Sequence, residues 1–173
     1  DDAAGLAIST RMSAEIRGTE VAKRNTNDGI SALQIADGAL SSITDNVQRM
    51  RELAVQASTG TLTTGDRANL NAEYQELKLQ IVDTATKAKF NGVALLDTAA
   101  GGTGITIQTG ANSGDTTIVK TMDASAITTT VGVITGADGT TASGEITDLD
   151  AILTSLNTGR ATIGAGINRL DAV

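Results

Sequence analysis

The stretch LQIADGALSSITDNVQRMRELAVQA, residues 33–57, decides the fold. Its apolar and small residues recur at alternating steps of three and four: Leu33, Ala36, Leu40, Ile43, Val47, Met50, Ala54 and Ala57. This spacing predicts an α-helix with one apolar stripe, of the kind that forms the seam of a coiled coil. Each Leu, Ile or Val is worth about 1.5 to 3 kcal/mol when it is fully buried. A single helix cannot bury them, so the stripe requires partner helices elsewhere in the chain.

The helix extends towards the amino terminus, because residues 1–32 contain good helix formers and no proline. A helix from Asp2 to Ser58 would be about 85 Å long, against roughly 40 Å for the diameter of a compact globule of this length. We therefore expect a rod, unless the helix breaks near residues 27–29. The early seam is weaker: Ile8, Met12 and Ile16 are followed by small side chains that permit close approach, at Thr19, Ala22, Thr26 and Gly29. Asp45 stands four residues before Arg49 and predicts an ion pair.

Two further stripes supply the partners. Thr63 and Asp66 form a predicted capping box before a second helix, and residues 147–150 form another before a third helix. The short connection between the first two helices predicts antiparallel packing. Arg160 takes a position in the third stripe and is expected at an edge or in a pair across the bundle. The predicted seam of the whole bundle consists of Leu33, Leu40, Ile43, Val47, Met50, Leu70, Leu77, Ile81, Leu156, Ile163, Ile167 and Leu170.

The middle of the chain is rich in Gly and Thr and has β-like runs at 105–109, 116–122 and 127–134, with a predicted turn at 112–114. The fold class is therefore mainly α: an elongated three-helix antiparallel coiled-coil bundle with a small β-hairpin region. We expect residues 1–98 together with 146–173 to form the helical rod. Residues 99–145 would form a small, variable β region packed on the rod or capping it.

Composition excludes several classes of function. The net charge is −7, and one Tyr, one Phe and no Trp leave little for nucleic-acid bases to stack on. The chain has no Cys and no His, so thiolate sites and the commonest general base are absent. No apolar run approaches the ~20 residues of a membrane span. We therefore expect no enzyme, no metal or other cofactor, and no nucleic-acid or membrane partner.

Weaker motifs have simpler explanations. The glycines at 101–104 and 164–166 lack the strand, spacing and Gly-Lys-Ser of a phosphate loop. Asp148 and Asp150 lack the rest of a calcium loop and suit a helix start. Glu73 and Glu76 could serve acid–base chemistry, but they lie on a helix surface without a cleft, and a solvated face is the better interpretation.

Several collinear segments resemble one family, bacterial flagellin: DDAAGLAISTRM (1–12), RNTNDGIS (24–31), QRMRELAVQAS (48–58), KFNG (89–92), QTGAN (108–112) and RATIGAGINRL (160–170). The resemblance implies a secreted structural subunit of the extracellular flagellar filament, used in motility. Its partners would be other flagellin subunits, a flagellar export chaperone and the vertebrate Toll-like receptor for flagellin. Family members extend beyond both ends of this chain, and those terminal segments drive self-assembly, so we expect this trunk fragment to be monomeric. The alternative is a coiled-coil signalling segment of a chemoreceptor-like protein, and an enzyme is the third choice.

The resemblance also implies a receptor-binding surface, formed by Gln48, Arg49, Leu53, Gln56 and Glu73. From its spacing alone, Leu53 is expected on a polar flank of the first helix, outside the seam. The competing explanations for it are an incidental surface leucine or a contact between filament subunits.

Overall fold

The computed structural model describes residues 3–173 and contains four α-helices, four short strands and one π-helical turn. The helices are α1 (Ala3–Ala57), α2 (Thr64–Lys87), α3 (Ser125–Thr130) and α4 (Thr140–Asp171). The strands are β1 (Lys89–Phe90), β2 (Val93–Ala94), β3 (Ile105–Gln108) and β4 (Thr116–Val119), and the π-helical turn is Ala99–Thr103. The predicted helix start near Asp2 lies outside the described residues.

The predicted fold class is confirmed. Helix α1 has 55 residues, is about 80 Å long and continues unbroken through residues 27–29. Both α2 and α4 pack along α1 in the opposite direction, because residues later in each helix pair with residues earlier in α1. Of the predicted seam, the buried members are Leu33, Leu40, Ile43, Val47, Met50, Ile81, Leu156, Ile163 and Leu170, and the half-buried members are Leu70, Leu77 and Ile167.

The bundle closes differently from a simple three-helix coiled coil. Helices α2 and α4 have little direct contact with each other. Residues 131–137, which we call the strap, lie between them and hydrogen-bond to side chains of both. Short α3 precedes the strap, and three buried side chains of this region, Ile127, Val131 and Ile134, belong to the core.

The two hairpins lie on the rod. Strands β1 and β2 pair antiparallel across Asn91 and Gly92, whose φ angles of 49° and 80° suit the two-residue turn of a twisted hairpin. Strands β3 and β4 pair with Ile105 opposite Val119, which confirms the first predicted β-hairpin. This hairpin lies so close to α1 that a Cβ on Gly18 would stand 2.9 Å from the Cβ of Ala111.

The prediction of a strand at the third β-like run, 127–134, is wrong. Its first part is in α3 and the rest is the strap. Ile127, Val131 and Ile134 recur at steps of four and three, and all three are buried. Burial of this helically spaced set outweighs the strand preference of the threonines between them.

The predicted capping box of α2 is confirmed, because the Thr63 side chain accepts from the Asp66 amide and the Asp66 carboxylate accepts from the Thr63 amide. The predicted start of the third helix is wrong: α4 begins at Thr140, not within 147–150. Ala142 and Glu145, both buried, carry the inward face of α4 back past that point. The division of the chain into rod and β region remains a prediction.

The first part of the early seam is exposed, whereas its small residues Ala22 and Gly29 are buried. Ile8, Met12 and Ile16 are 51%, 56% and 60% accessible. Leu170, near the end of α4, lies beside Gly29, and no other part of residues 3–173 covers the first turns of α1. The one helix therefore has a solvated section and a buried section.

Candidate functional site

Arg49 lies at the centre of a charged cluster formed across α1 and α2. Its Nε donates to Glu73 Oε1 at 2.9 Å, and one terminal nitrogen lies 2.8 Å from the same oxygen. The other terminal nitrogen donates to Glu52 Oε2 at 2.9 Å. The antiparallel packing of the two helices brings Arg49 and Glu73 together although 24 residues separate them. The predicted pair of Arg49 with Asp45 is therefore replaced by pairs with Glu52 and Glu73.

The cluster is exposed yet ordered by its own contacts. About half of each side chain is accessible in the Arg49–Glu73 pair, 50% and 48%. Hydrogen bonds to Glu52, and then to Glu73, raise the pKa of Arg49. Exposed ion pairs of this kind add little stability. Their effect is to hold a planar donor fork in one orientation at the surface.

The remaining predicted recognition residues divide into two groups. Gln48 and Gln56 are exposed, and Gln56 lies two helical turns along the same face from Arg49. The expectation that Leu53 lies on a polar flank is wrong, because its accessibility is 1%. Helix α1 lies between two partners at this level and so buries a wider face than a two-helix seam requires. Leu53 therefore belongs to the core of the bundle.

Two ion pairs join α1 to α4 on the other side. Arg51 lies 2.6 Å from Asp150 and, chiefly by this hydrogen bond, lowers the pKa of that carboxyl. Arg160 reaches Asp37 at 2.8 Å, with 38% of each side chain accessible, which confirms a pair across the bundle. Such exposed pairs contribute little energy, but together they mark the axial register of α4 on α1.

Two buried polar side chains of α2 were not recognised in the sequence. Arg67 is 1% accessible and donates to the carbonyl oxygens of Ala57, Thr59, Leu62 and Ala137 at 2.7 to 3.3 Å. Tyr74, fully buried, donates its hydroxyl proton to Glu145 Oε2 at 2.7 Å, and burial followed by this bond raises its pKa. Arg67 belongs to a polar stripe on α2 at steps of four, four and three, formed with Asn71, Gln75 and Lys78, and such a stripe is equally typical of a solvated helix face.

The other motifs have structural roles. Gly164 and Gly166 are inside α4, and Asp150 is bound to Arg51. Within residues 3–173, no three carboxylates come together as a metal site. In the same part of the chain, no helix is long and apolar enough to cross a membrane.

Comparison with known proteins gives consistent matches. The family described as the bacterial flagellin N-terminal helical region matches residues 1–101. A flagellin of Halalkalibacterium halodurans is 49% identical over 113 residues, which is 65% of this chain and 41% of the relative. A flagellin of Listeria monocytogenes is 36% identical over 99% of this chain and 64% of its own length. The chain thus spans less than two thirds of the curated relatives that it matches.

The fold matches as well. The crystal structure of Bacillus cereus flagellin superimposes with a TM-score of 0.76 at 42% identity, over 86% of this chain and 85% of that one.

Proposed function

Because the chain belongs to the bacterial flagellin family, we propose that it forms the rod of a non-enzymatic, structural subunit of the extracellular flagellar filament. Family membership replaces the alternative of a chemoreceptor-like signalling segment. The single observation that carries the proposal is an unbroken 55-residue helix flanked by antiparallel partners in a chain similar to flagellins. Other flagellin subunits are its filament partners, and a flagellar export chaperone receives it before secretion.

A chimera tests this role. The aligned region of the Listeria monocytogenes flagellin is replaced by this chain and expressed in a strain that lacks its own flagellin. We expect filaments in electron micrographs and restored swimming. A chimera that is folded and exported but forms no filaments would contradict the proposal. The matched control is this chain without added terminal segments, which we expect to sediment as a monomer.

We further propose that the cluster of Arg49 and Glu73, flanked by Gln48 and Gln56, binds the vertebrate Toll-like receptor for flagellin. The cluster combines a guanidinium fork, an acidic neighbour and amide groups, which suits the polar contacts of a protein interface. Arg is enriched among residues that dominate binding energy. Leu53 contributes by packing below the surface, not by direct contact.

The test is binding of purified variants to the receptor ectodomain. Arg49→Ala and Glu73→Ala should each weaken binding by about thirtyfold, which is roughly 2 kcal/mol. Arg51→Ala removes an arginine two residues away whose partner is on α4, and Lys87→Ala removes another exposed ion pair of α2. Both controls should bind normally. Equal binding by all four variants would contradict the site, and no binding by the unmodified chain would contradict receptor recognition itself.

A further inference from the structure

The strap is attached to the helices by side chains. From α2, Asn71 accepts the Ile134 amide at 3.0 Å, Gln75 donates to the Gly132 carbonyl at 3.0 Å, and Lys78 donates to the Val131 carbonyl. From α4, Glu145 accepts the Gly132 amide at 3.0 Å. Arg67, also on α2, donates a fifth bond to the Ala137 carbonyl. In the described chain, these five bonds are the hydrogen bonds that join the strap to α2 and α4, and each uses a helix side chain.

Helix α2 has few fully buried apolar side chains of its own. Its buried residues are Arg67, Tyr74 and Ile81. Arg67 bonds to the strap, and Tyr74 bonds to Glu145, which also binds the strap. By comparison, α4 buries Leu149, Ile152, Leu156, Ile163 and Leu170. Half-buried Leu70 and Leu77 add apolar contact with the core, and the polar groups that hold the strap supply part of the remaining attachment of α2.

We propose that the strap is a latch: residues 131–137 open as one unit, without global unfolding, and this opening frees α2 from α4 while the α1–α4 pair stays intact. The strap and the helix faces around it are linked through shared partners. Glu145 Oε2 holds both Tyr74 and Gly132, so loss of one bond weakens the position of the other. The free energy needed to open such a unit lies between that of a fraying helix end and that of global unfolding.

Glycine permits the close fit of the latch. A Cβ on Gly132 would lie 2.6 Å from Glu145 Oε1, so Gly132→Ala displaces the carboxylate that binds both Tyr74 and the amide of residue 132. Gly136 has a φ of 140°, a conformation that other residues rarely adopt. The strap can therefore be weakened from its own side as well as from α2.

Amide hydrogen exchange of the whole chain tests the latch, because the Gly132 and Ile134 amides report on it directly. In the unmodified protein, both should share one protection factor that is lower than that of the Ile43 and Val47 amides in α1. Asn71→Ala removes the acceptor of Ile134 and, with it, the long 3.5 Å bond that the same oxygen accepts from Gln75. If the latch opens as one unit, exchange at Gly132 and Ile134 should rise together, by about three- to tenfold.

Lys78→Ala provides an independent variant that should accelerate both amides in the same way, and Gly132→Ala should accelerate the Ile134 amide. The matched control is Gln80→Ala on the exposed face of α2, which should leave them unchanged. Acceleration of Ile134 alone in Asn71→Ala would overturn the proposal, because the bonds would then act separately. Exchange of both amides only at the global unfolding rate would overturn it as well.

Discussion

The two partners of α1 are held in different ways. Helix α4 lies on α1 through a nearly continuous apolar stripe, with ion pairs at the edge. Helix α2 has one fully buried aliphatic residue, Ile81, with Leu70 and Leu77 half-buried, and its other fully buried residues are Arg67 and Tyr74. The comparison teaches that apolar burial selects which helix faces meet, whereas directional polar bonds position the strap that fills the remaining groove.

The largest effect on the free energy of unfolding is expected at the apolar interface of α1 and α4. Leu156→Ala leaves a cavity beneath α4, because Leu156 is fully buried, and should lower the free energy of unfolding by about 2 to 5 kcal/mol. Chemical denaturation followed by circular dichroism measures the change. Asn157→Ala, on the exposed face one residue later, is the control and should cost little. Equal costs would show that α4 does not rest on its stripe.

The next largest effect on the free energy of unfolding is expected at the polar contacts of α2. Arg67→Met keeps much of the volume but leaves the carbonyls at the end of α1 without their buried donor, and should cost about 2 to 4 kcal/mol. Arg67→Lys should recover only part of this loss, because an ammonium group cannot reproduce the fork. Arg51→Met is the exposed control, with an expected cost near zero. A neutral Arg67→Met variant would mean that α2 is held by apolar contacts after all.

A smaller effect appears in acid. Hydrogen bonds from Thr63 lower the pKa of Asp66, and hydrogen bonds from Thr140 lower the pKa of Asp138. A carboxyl with a lowered pKa in the folded state stabilises the fold above its unfolded pKa of about 3.9, and this contribution is lost as the pH falls through the folded value.

The melting temperature should therefore be level from pH 7 to 5 and should fall below about pH 4. Asp66→Asn removes one of the titrating caps, so its melting temperature should fall less steeply in acid. Parallel pH profiles for the two proteins would exclude a contribution from the α2 cap.

The smallest effect is expected at the solvated end of α1. Ile16→Ala should change the free energy of unfolding by no more than about 0.5 kcal/mol, because Ile16 is 60% accessible. Thermal and chemical melts of the two proteins should superimpose. A loss near that of Leu156→Ala would show that this section of α1 is packed in solution.

The sequence predicts the apolar seam of the bundle well and the polar contacts of α2 and the strap poorly. Leu33, Ile43 and Leu156 could be placed because period and burial follow the same rule in any helix bundle. The strap could not be placed, because Asn71, Gln75 and Lys78 are equally typical of a solvated helix face. Their role depends on which extended segment lies opposite, and that is a tertiary property.

The candidate site shows the same limit. Arg49 and Glu73 were identified through family resemblance, and their direct pairing needed the relative register of two helices. Leu53 was misplaced because the width of a buried face depends on how many helices contact it, which spacing on one helix does not reveal.

The unbroken course of α1 has a mechanical consequence. Tension along the rod acts in line with the backbone hydrogen bonds of one continuous helix, while α2 and α4 lie alongside and are loaded in shear. Arg51 and Asp37, which anchor α4 about 21 Å apart along α1, must then slip together with the whole apolar stripe. A force that pulls α2 sideways breaks the contacts of α2 one after another. The rod is therefore stiff against stretching and yields first to peeling at α2.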